Sequence, residues 1–518
     1  MWKPLFLSVF IGLLWLTGGC ESPSPTPPNL IFLFADDLRE DAFGAMGHPF
    51  HQSPNIDQLI QQGVRFRNTY AATPVCAPSR VSLFLGLPER VHGVGFSSSY
   101  QLTEAQWQES YPALLRKAGY HTGFVGKFGV EYYSFRGQAS EQFDYWWGHD
   151  GWTRFFPKRY DSESTRPYHR AADSIITPIM GEAMEEFLEQ RPSEQPFCLS
   201  VSFSVPHSSQ TRSMYDGYEG WRRMARPANE HPSLAEHPIY GALYRQQPIP
   251  IPAETGTDPY RWIPQAVLDQ SDGRDNTYAF SYDPETCREH HIRYAQTITG
   301  LDQVIGDLMA SLEAKGLAEN TVIIFASDHG LLMGEYGMGG KSLLYDLAAK
   351  IPCFIYDPRL SQSQRGTSRE ELVSSLDVTA TMLAYAGVEP LAQMEGESLL
   401  PLLNGQATAW REALFLESLF TLRGNPFCEG IRQGDWKYIR MFDGVKGFEE
   451  SDVAFGDRSP AFEQLFHLKE DPEEKHNLIA DYEGSEWLEE LRQSCRTQSE
   501  EINQRRERYR KKGEVRRR

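Results

Sequence analysis

Two short acidic clusters could do chemistry: Asp36-Asp37 and Asp328-His329. Adjacent carboxylates repel one another when both are ionised, so such a pair needs a compensating charge. A divalent cation supplies one, and carboxylate oxygens suit the hard ions Ca²⁺ and Mg²⁺. The competing role for an Asp pair is a turn or a cap. If the two clusters converge, three carboxylates and one imidazole form a mostly hard donor set. A third feature is Cys76, within Pro74-Val75-Cys76-Ala77-Pro78-Ser79-Arg80. From its surroundings alone it is either a buried packing thiol or a nucleophile of lowered pKa at a helix start beside Arg80. Lys127, His207 and Lys341 carry no signal singly; they read as surface lysines and a loop histidine.

The elements that must position these groups are legible. Asn29–Ala35 (NLIFLFA) is a nearly continuous apolar run, as a strand buried on both faces requires. Residues 121–125, 197–203, 321–326 and 352–356 read the same way. Ser53 as cap and Pro54 at the first position open a helix whose stripe includes Ile56, Leu59 and Ile60. Ile292, Ala295, Ile298, Leu301, Ile305, Leu308 and Leu312 recur at three or four, a long amphipathic helix ending at Gly316. Strands alternating with helices predict an α/β sheet covered on both sides. Both acidic clusters follow such strands, and ligands in these sheets gather at the carboxyl ends. Residues 208–283 lack periodicity and read as a long excursion from the sheet. Beyond about residue 405 the pattern shortens. Residues 436–441 alternate like an antiparallel strand, and 485–504 read as a terminal helix capped by Ser485.

The chain has 518 residues, 40% hydrophobic and 23% charged, an ordinary globular balance that can bury a core without disulfides. The formal charge of 51 − 70 = −19 disfavours nonspecific nucleic-acid binding. An anionic substrate is still compatible with a locally basic pocket. Lys3, the apolar residues 5–16 and Thr17-Gly18-Gly19-Cys20 predict a signal peptide over 1–20 with a lipoprotein-like box. The protein is then exported, periplasmic or at the cell surface, and lipid-anchored at Cys20. Residues 21–28 form a Ser/Pro-rich tether. The expected units are 29–405, a smaller C-terminal unit over 406–504, and a tail over 505–518. That tail has nine basic and two acidic residues and reads as a disordered solvated end. The seven cysteines contain no CxxC pair, which excludes the usual cysteine zinc site.

Cys76-Ala77-Pro78-Ser79-Arg80 resembles the Cys-x-Pro-Ser-Arg signature of the formylglycine-dependent sulfatases. Asn29 to Asp37 is similar to that family's first strand and Asp pair. Ser53-Pro54-Asn55-Ile56-Asp57 with Gly63-Val64-Arg65-Phe66 resembles its first helix. Phe84-Leu85-Gly86, His92-Gly93-Val94, Gly119-Tyr120, Gly126-Lys127, Pro206-His207, Ser327-Asp328-His329-Gly330, Gly339-Gly340-Lys341, Asp377 and Leu468 to Leu478 follow in the family's order. The resemblance implies an alkaline-phosphatase-like α/β/α sandwich with a large mixed sheet. A smaller C-terminal α+β subdomain with a short antiparallel sheet would follow it.

The same resemblance implies roles. A maturating enzyme would convert Cys76 to formylglycine, whose hydrate carries two hydroxyls. One attacks the sulfur of a sulfate ester and the alcohol leaves; the other then loses its proton and sulfate is expelled. Asp36, Asp37, Asp328 and His329, with residue 76 itself, would hold one Ca²⁺. Arg80 would stabilise the deprotonated hydrate, and Lys127 and Lys341 would clamp the sulfate oxygens. His207 would protonate the leaving alkoxide, a task suited to a group titrating near neutrality. Two relatives in function are the formylglycine-dependent phosphodiesterases and phosphonate hydrolases; a non-catalytic glycan-binding surface lipoprotein is a third reading. One departure is plain: where the family has Gly-Lys-Trp-His, this chain has Gly126-Lys127-Phe128-Gly129. Either another group such as His149 replaces that histidine, or none does. The expected substrate is an external sulfated oligo- or polysaccharide. Arg212, Arg222 and Arg223 could pair with its anionic groups or form structural ion pairs. Trp146, Trp147 and Trp152 could stack on sugars or pack internally. His92 and His121 read as structural, and Asp377 as a cap.

Overall fold

The computed structural model describes residues 27–518 apart from 97–99, 131–137, 150–153, 158–170, 172, 215–233, 235–236, 269–275, 282, 407–408, 422–423, 445–451, 457, 511–514 and 517–518. The signal peptide, Cys20, most of the tether, Trp152, Arg222 and Arg223 lie outside the described residues.

Eight strands form the main sheet: β1 (Asn29–Ala35), β2 (Val64–Tyr70), β3 (His121–Lys127), β4 (Tyr145–His149), β5 (Phe197–Ser202), β6 (Thr321–Ser327), β7 (Cys353–Tyr356) and β8 (Thr367–Ser374). Their order is β8-β2-β7-β6-β1-β5-β3-β4. Strand β7 runs antiparallel to both neighbours, and the other pairs are parallel, so the sheet is mixed. The central strand β1 registers Leu33 with Val201 on one side and Phe325 on the other. Its even residues Leu30, Phe32 and Phe34 enter one core with Val81, Phe84 and Met382. Its odd residues Ile31 and Leu33 enter the other with Ile56, Ile179, Ile298 and Leu301. That is why NLIFLFA shows no alternation. Each such side chain contributes about 1.5–3 kcal/mol by leaving water.

Helices α1 (Pro54–Gln62), α3 (Ile176–Gln190) and α4 (Pro284–Ala314) cover the second core. Helices α2 (Cys76–Leu85) and α5 (Ser375–Tyr385) cover the first, completing an α/β/α sandwich. Helix α4 starts earlier than its apolar stripe, because Asp283 accepts from the Glu285 and Thr286 amides and Pro284 takes the first position. It closes at Gly316, which adopts φ +67°. Asp377 is the acid of a capping box with Ser374 at the start of α5. Ser53 stands before α1 as expected, but its hydroxyl donates to Asp57 and accepts from Gly44 rather than capping. Residues 63–66 do not extend that helix: Gly63 ends it and Val64 begins β2. Strand β8 was not legible because it is a charged edge strand, TSREELVS.

A second sheet follows, built of β9 (Ala413–Ser418), β10 (Phe427–Gln433), β11 (Trp436–Phe442) and β12 (Phe462–His467) in sequential antiparallel order. Helix α6 (Glu486–Arg510) packs Leu488, Leu491 and Cys495 against Ile431, Tyr438 and Leu465. It runs past the expected end at residue 504, so residues 505–510 are helical and not part of a disordered end. Buried positions 488, 491, 495, 499, 502, 506 and 509 recur at three and four. Ser499 and Arg506 occupy two of them, which hid the stripe from hydropathy. Val515–Arg516 pairs with Tyr100–Gln101.

The C-terminal subdomain reaches back to the loops of the first. Arg90 Nε lies 3.0 Å from Glu417 Oε2 and its Nη2 2.7 Å from Glu429 Oε2, while Nη1 donates to Ser499 at 2.7 Å. Lys437 Nζ donates to Leu344 O at 2.8 Å and pairs with Asp346 at 2.6 Å. The six described cysteines are all buried and unpaired. No helix among the described residues is long and apolar enough to cross a membrane.

Candidate active site

The carboxyl edge of the sheet gathers the chemistry. Strand β1 leads directly into Asp36-Asp37 and β6 into Asp328-His329, β3 ends on Lys127, and β5 leads on to His207. Cys76 is the first residue of α2, and Lys341 follows the short Gly339–Gly340 strand. All nine expected site residues, including Arg80, are buried.

Their contacts interlock. Lys341 Nζ lies 2.7 Å from Asp37 Oδ1 and 2.8 Å from Cys76 Sγ. Lys127 Nζ lies 2.5 Å from Asp36 Oδ2. Arg80 Nη2 donates to Asp328 Oδ2 at 2.9 Å, and Nη1 donates to Lys127 O at 2.8 Å and to Ser202 Oγ. His329 Nε2 is 3.2 Å from Cys76 Sγ, and its Nδ1 is 2.8 Å from Gly330 O. The Nδ1 of His207 accepts from the Ser209 amide at 3.0 Å, which leaves Nε2 facing Asp37 Oδ2 at 3.8 Å. Three carboxyl groups thus face three basic side chains, and a divalent cation with an anionic ester adds charges of opposite sign.

Asp37 has φ +64°, rare for a side chain other than Gly, Asn or Asp. Its amide donates to Asp328 Oδ1 at 3.1 Å, and its carbonyl accepts from Tyr294 Oη at 3.0 Å. Those bonds over-determine the turn that presents two successive carboxylates to one point.

The electrostatics follow from burial and charge. Burial pushes the Cys76 thiol up to about 12, against the pull of Lys127 and Lys341. The reading of Cys76 as a low-pKa thiol is therefore overturned: desolvation of a thiolate outweighs both ammoniums. Burial opposes ionisation of Asp37, yet His207 and Lys341 hold its carboxyl at about 2. Burial and the charge on Asp36 push Asp328 up to about 7. His207 is lowered to about 4 by burial, with Asp37 pulling the other way. Burial thus opposes the near-neutral titration expected of it. An anion between His207 and the two lysines raises it again.

A cation fits this donor set. Asp36, Asp37, Cys76 and His207 can each bring one ligand atom within 4.8 Å of the others, and so can Asp36, Cys76, Asp328 and His329. Asp36 Oδ1 and Asp37 Oδ2 are buried without a hydrogen-bond partner. Such orphan acceptors are costly in a folded protein unless an ion or water meets them.

Gly129 explains part of the departure from the family pattern. It adopts φ +72°, and a Cβ there would lie 2.8 Å from Arg80 Cδ and 3.5 Å from Arg80 Nε. The stem of Arg80 occupies the room that a side chain at 129 needs. His149 sits beside Lys127 in the β3–β4 register, with Nε2 3.3 Å from Ser204 Oγ. Restoring the family's residue by Gly129→His is expected to lower kcat by on the order of 10²-fold, because it displaces Arg80 from Asp328. Steady-state kinetics checks this; an unchanged or raised kcat would show that Arg80 has room to move.

Several partners were not singled out from sequence: Ser202 on Arg80, Tyr294 on Asp37, and Ser79, whose hydroxyl donates to Asp328 O at 2.8 Å. Tyr294 carried a faint signal, since it lies four residues before Ile298 on the buried stripe of α4. Of the other candidates, Trp146 stacks on Phe124 at 5.3 Å and packs internally. Arg212 is buried and donates to Ser208 O at 3.2 Å. His92 binds Ser82 and the Val94 amide, and His121 stacks on Phe187.

Residues 28–388 match the sulfatase family, and residues 334–501 match "N-sulphoglucosamine sulphohydrolase, C-terminal". An N-acetylglucosamine-6-O-sulfatase of Bacteroides thetaiotaomicron is 25% identical over 510 residues, covering 90% of this chain and 85% of its own. A solved protein bound to its substrate D-glucosamine-2-N,6-O-disulfate superposes with TM-score 0.67 at 21% identity, over 92% of this chain and 98% of that one. The phosphonate monoester hydrolase of Agrobacterium radiobacter superposes with TM-score 0.63 at 21% identity, over 95% and 100%. The family match spans most of the chain and includes α2, which begins at Cys76, both acidic clusters and both lysines. This chain therefore belongs to the formylglycine-dependent sulfatase family of the alkaline phosphatase superfamily, and it is a sulfatase.

Proposed function

We propose that this sulfatase removes sulfate from an external sulfated carbohydrate, using a formylglycine derived from Cys76 and one Ca²⁺. The observation that carries the reading is the position of Cys76 Sγ, 2.8 Å from Lys341 Nζ and 3.2 Å from His329 Nε2, beside two orphan carboxylate oxygens. Asp36, Asp37, Asp328 and His329 would hold the ion, with residue 76 as a further ligand. When bound, Ca²⁺ supplies Lewis acidity toward a sulfate oxygen and favours loss of a hydrate proton. A hydrated aldehyde at residue 76 supplies the nucleophile that a thiol held near 12 cannot.

The chain's own residues do the rest. A sulfate ester brought to residue 76 offers Lys127 and Lys341 anionic oxygens in place of Asp36 and Asp37. Arg80 is fixed at three points and stays in place as charge develops at residue 76. His207 presents Nε2 to the site while its Nδ1 is held by the Ser209 amide, an orientation suited to passing a proton to the leaving oxygen. The burial of all nine groups excludes water and strengthens each interaction. The carbohydrate assignment draws on the relatives that act on sulfated sugars, together with the signal-like N-terminus. Anchoring at Cys20 and maturation by a formylglycine-generating enzyme belong to the same proposal.

Peptide mass spectrometry tests it. The tryptic peptide with Cys76, made in a host that installs formylglycine, is expected about 18 Da lighter than the cysteine form. Chelation is expected to abolish turnover, and Ca²⁺ to restore it. Unmodified cysteine in an active preparation would sink the proposal. The phosphonate hydrolase neighbour supports a second reading, phosphonate or phosphodiester hydrolysis at the same site. Comparing kcat/KM for an aryl sulfate and a phenyl phosphonate ester decides between them.

A further inference from the structure

A groove of about 640 Å³ lies between β8 of the main sheet, the β10–β11 hairpin and the start of α6. Its size falls within the range of about 300–1,000 Å³ usual for small-ligand sites. One wall is aromatic. Trp436 and Trp487 lie 4.6 Å apart between ring centroids with planes at 57°. Tyr482 lies 5.4 Å from each, and His467 meets Trp436 edge-on at 4.4 Å. None of these contacts is a parallel stack, and Trp436 and Trp487 are only half-buried. Trp436 cannot withdraw, because it is registered against Gln433 and His467 in the sheet.

The rest of the lining accepts hydrogen bonds. Glu370, Glu371, Glu412 and Asp435 place four carboxylates there, of which Glu370 pairs with Arg67 at 3.2 Å. The two arginines in the lining already have protein partners. Arg411 pairs with Asp377 and Glu397, and Arg432 donates to Tyr70 Oη and Trp436 O. A sulfate, phosphate or carboxylate ligand meets repulsion here. A ligand rich in hydroxyl donors with an apolar C–H face meets complementary groups on both walls.

We propose that this groove binds an uncharged stretch of saccharide, stacked on Trp436 and Trp487 with its hydroxyls donating to the carboxylate wall. A basic polypeptide would satisfy the carboxylates, but Glu370, Glu412 and Asp435 are exposed and exposed ion pairs contribute little. The fixed, tilted indoles favour a sugar face. On a sulfatase such a site holds the enzyme on stretches of substrate that carry no sulfate. That use rests on the function proposed above; the binding itself does not.

Calorimetry and tryptophan fluorescence on the full chain test this with neutral cello-, xylo-, manno- and agaro-hexasaccharides, a sulfated carrageenan hexasaccharide and polylysine. At least one neutral hexasaccharide is expected to bind, with the sulfated one weaker by about tenfold or more. Trp487→Ala, at the exposed start of α6, is expected to weaken binding by about tenfold or more and to leave hydrolysis of a small aryl sulfate unchanged. Asp435→Ala gives a second variant that removes no aromatic packing. The proposal fails if no neutral hexasaccharide binds, if the sulfated one binds as tightly, if only polylysine binds, or if binding survives both substitutions. Loss of aryl sulfate hydrolysis in the parent, with saccharide binding intact, would count against the reaction and not against the groove.

Discussion

Cys76→Ala is expected to fold as the parent does and to lose sulfate ester hydrolysis, with kcat lower by on the order of 10⁴-fold or more. The substitution removes one buried sulfur atom. Lys341 keeps its 2.7 Å pairing with Asp37, so no ammonium is left without a carboxylate. Removing a sole nucleophile costs nearly all of an enzyme's chemistry, because the clamping groups alone provide only a small residual acceleration. The parent made in a host without the maturating enzyme is expected to be equally inactive. Burial holds its thiol at about 12, so it is protonated at neutral pH. Single-turnover assays on a chromogenic aryl sulfate, with circular dichroism as the folding control, check both. Parent-like turnover by folded Cys76→Ala would place the nucleophile elsewhere.

The second large effect is on stability. Arg90→Ala is expected to destabilise the protein by about 3–5 kcal/mol, the usual cost of removing one partner from a buried ionic network. Arg90 is fully buried between Glu417 and Glu429, and its loss leaves both carboxylates without that cation. Burial already raises Glu417 above the ordinary carboxylate range, with Arg90 opposing the rise. Without Arg90 it rises further. A carboxyl with a raised folded-state pKa stabilises the fold at low pH and loses that contribution as pH climbs through the folded value. The deficit of Arg90→Ala is therefore expected to be largest near pH 8 and to shrink toward pH 5. Burial also pushes neighbouring Glu89 up to about 8, against its bond to Thr73. Thr73 lies three residues before Cys76, so the same network steadies the loop that carries the nucleophile. Urea unfolding at the two pH values measures the difference; a pH-independent deficit would show that lost packing, not charge, dominates.

The central strands were legible because a strand buried on both faces needs only apolar residues, and β1, β3, β5, β6 and β7 supply them. Edge strands were not. β4 is half-buried and aromatic, and β8 alternates charged residues toward solvent, so neither has a distinctive pattern. The end of α6 was misread for a related reason. Its buried stripe passes through Ser499 and Arg506, whose partners come from distant segments and leave no trace in local hydropathy.

By itself the sequence determined the sheet class, the two acidic strand ends and the family, since each depends on residues close together in the chain or in a fixed order. The tertiary structure alone decided how those residues act on one another. Desolvation of Cys76 and His207 depends on everything packed around them; it decides between the two readings open for the thiol and moves the imidazole below neutrality. The seat of Arg80 over Gly129 joins positions 49 residues apart, and the orphan oxygens of Asp36 and Asp37 are defined only by what surrounds them. Local patterns specify elements, whereas electrostatics and packing at a site are sums over neighbours that only the folded chain brings together.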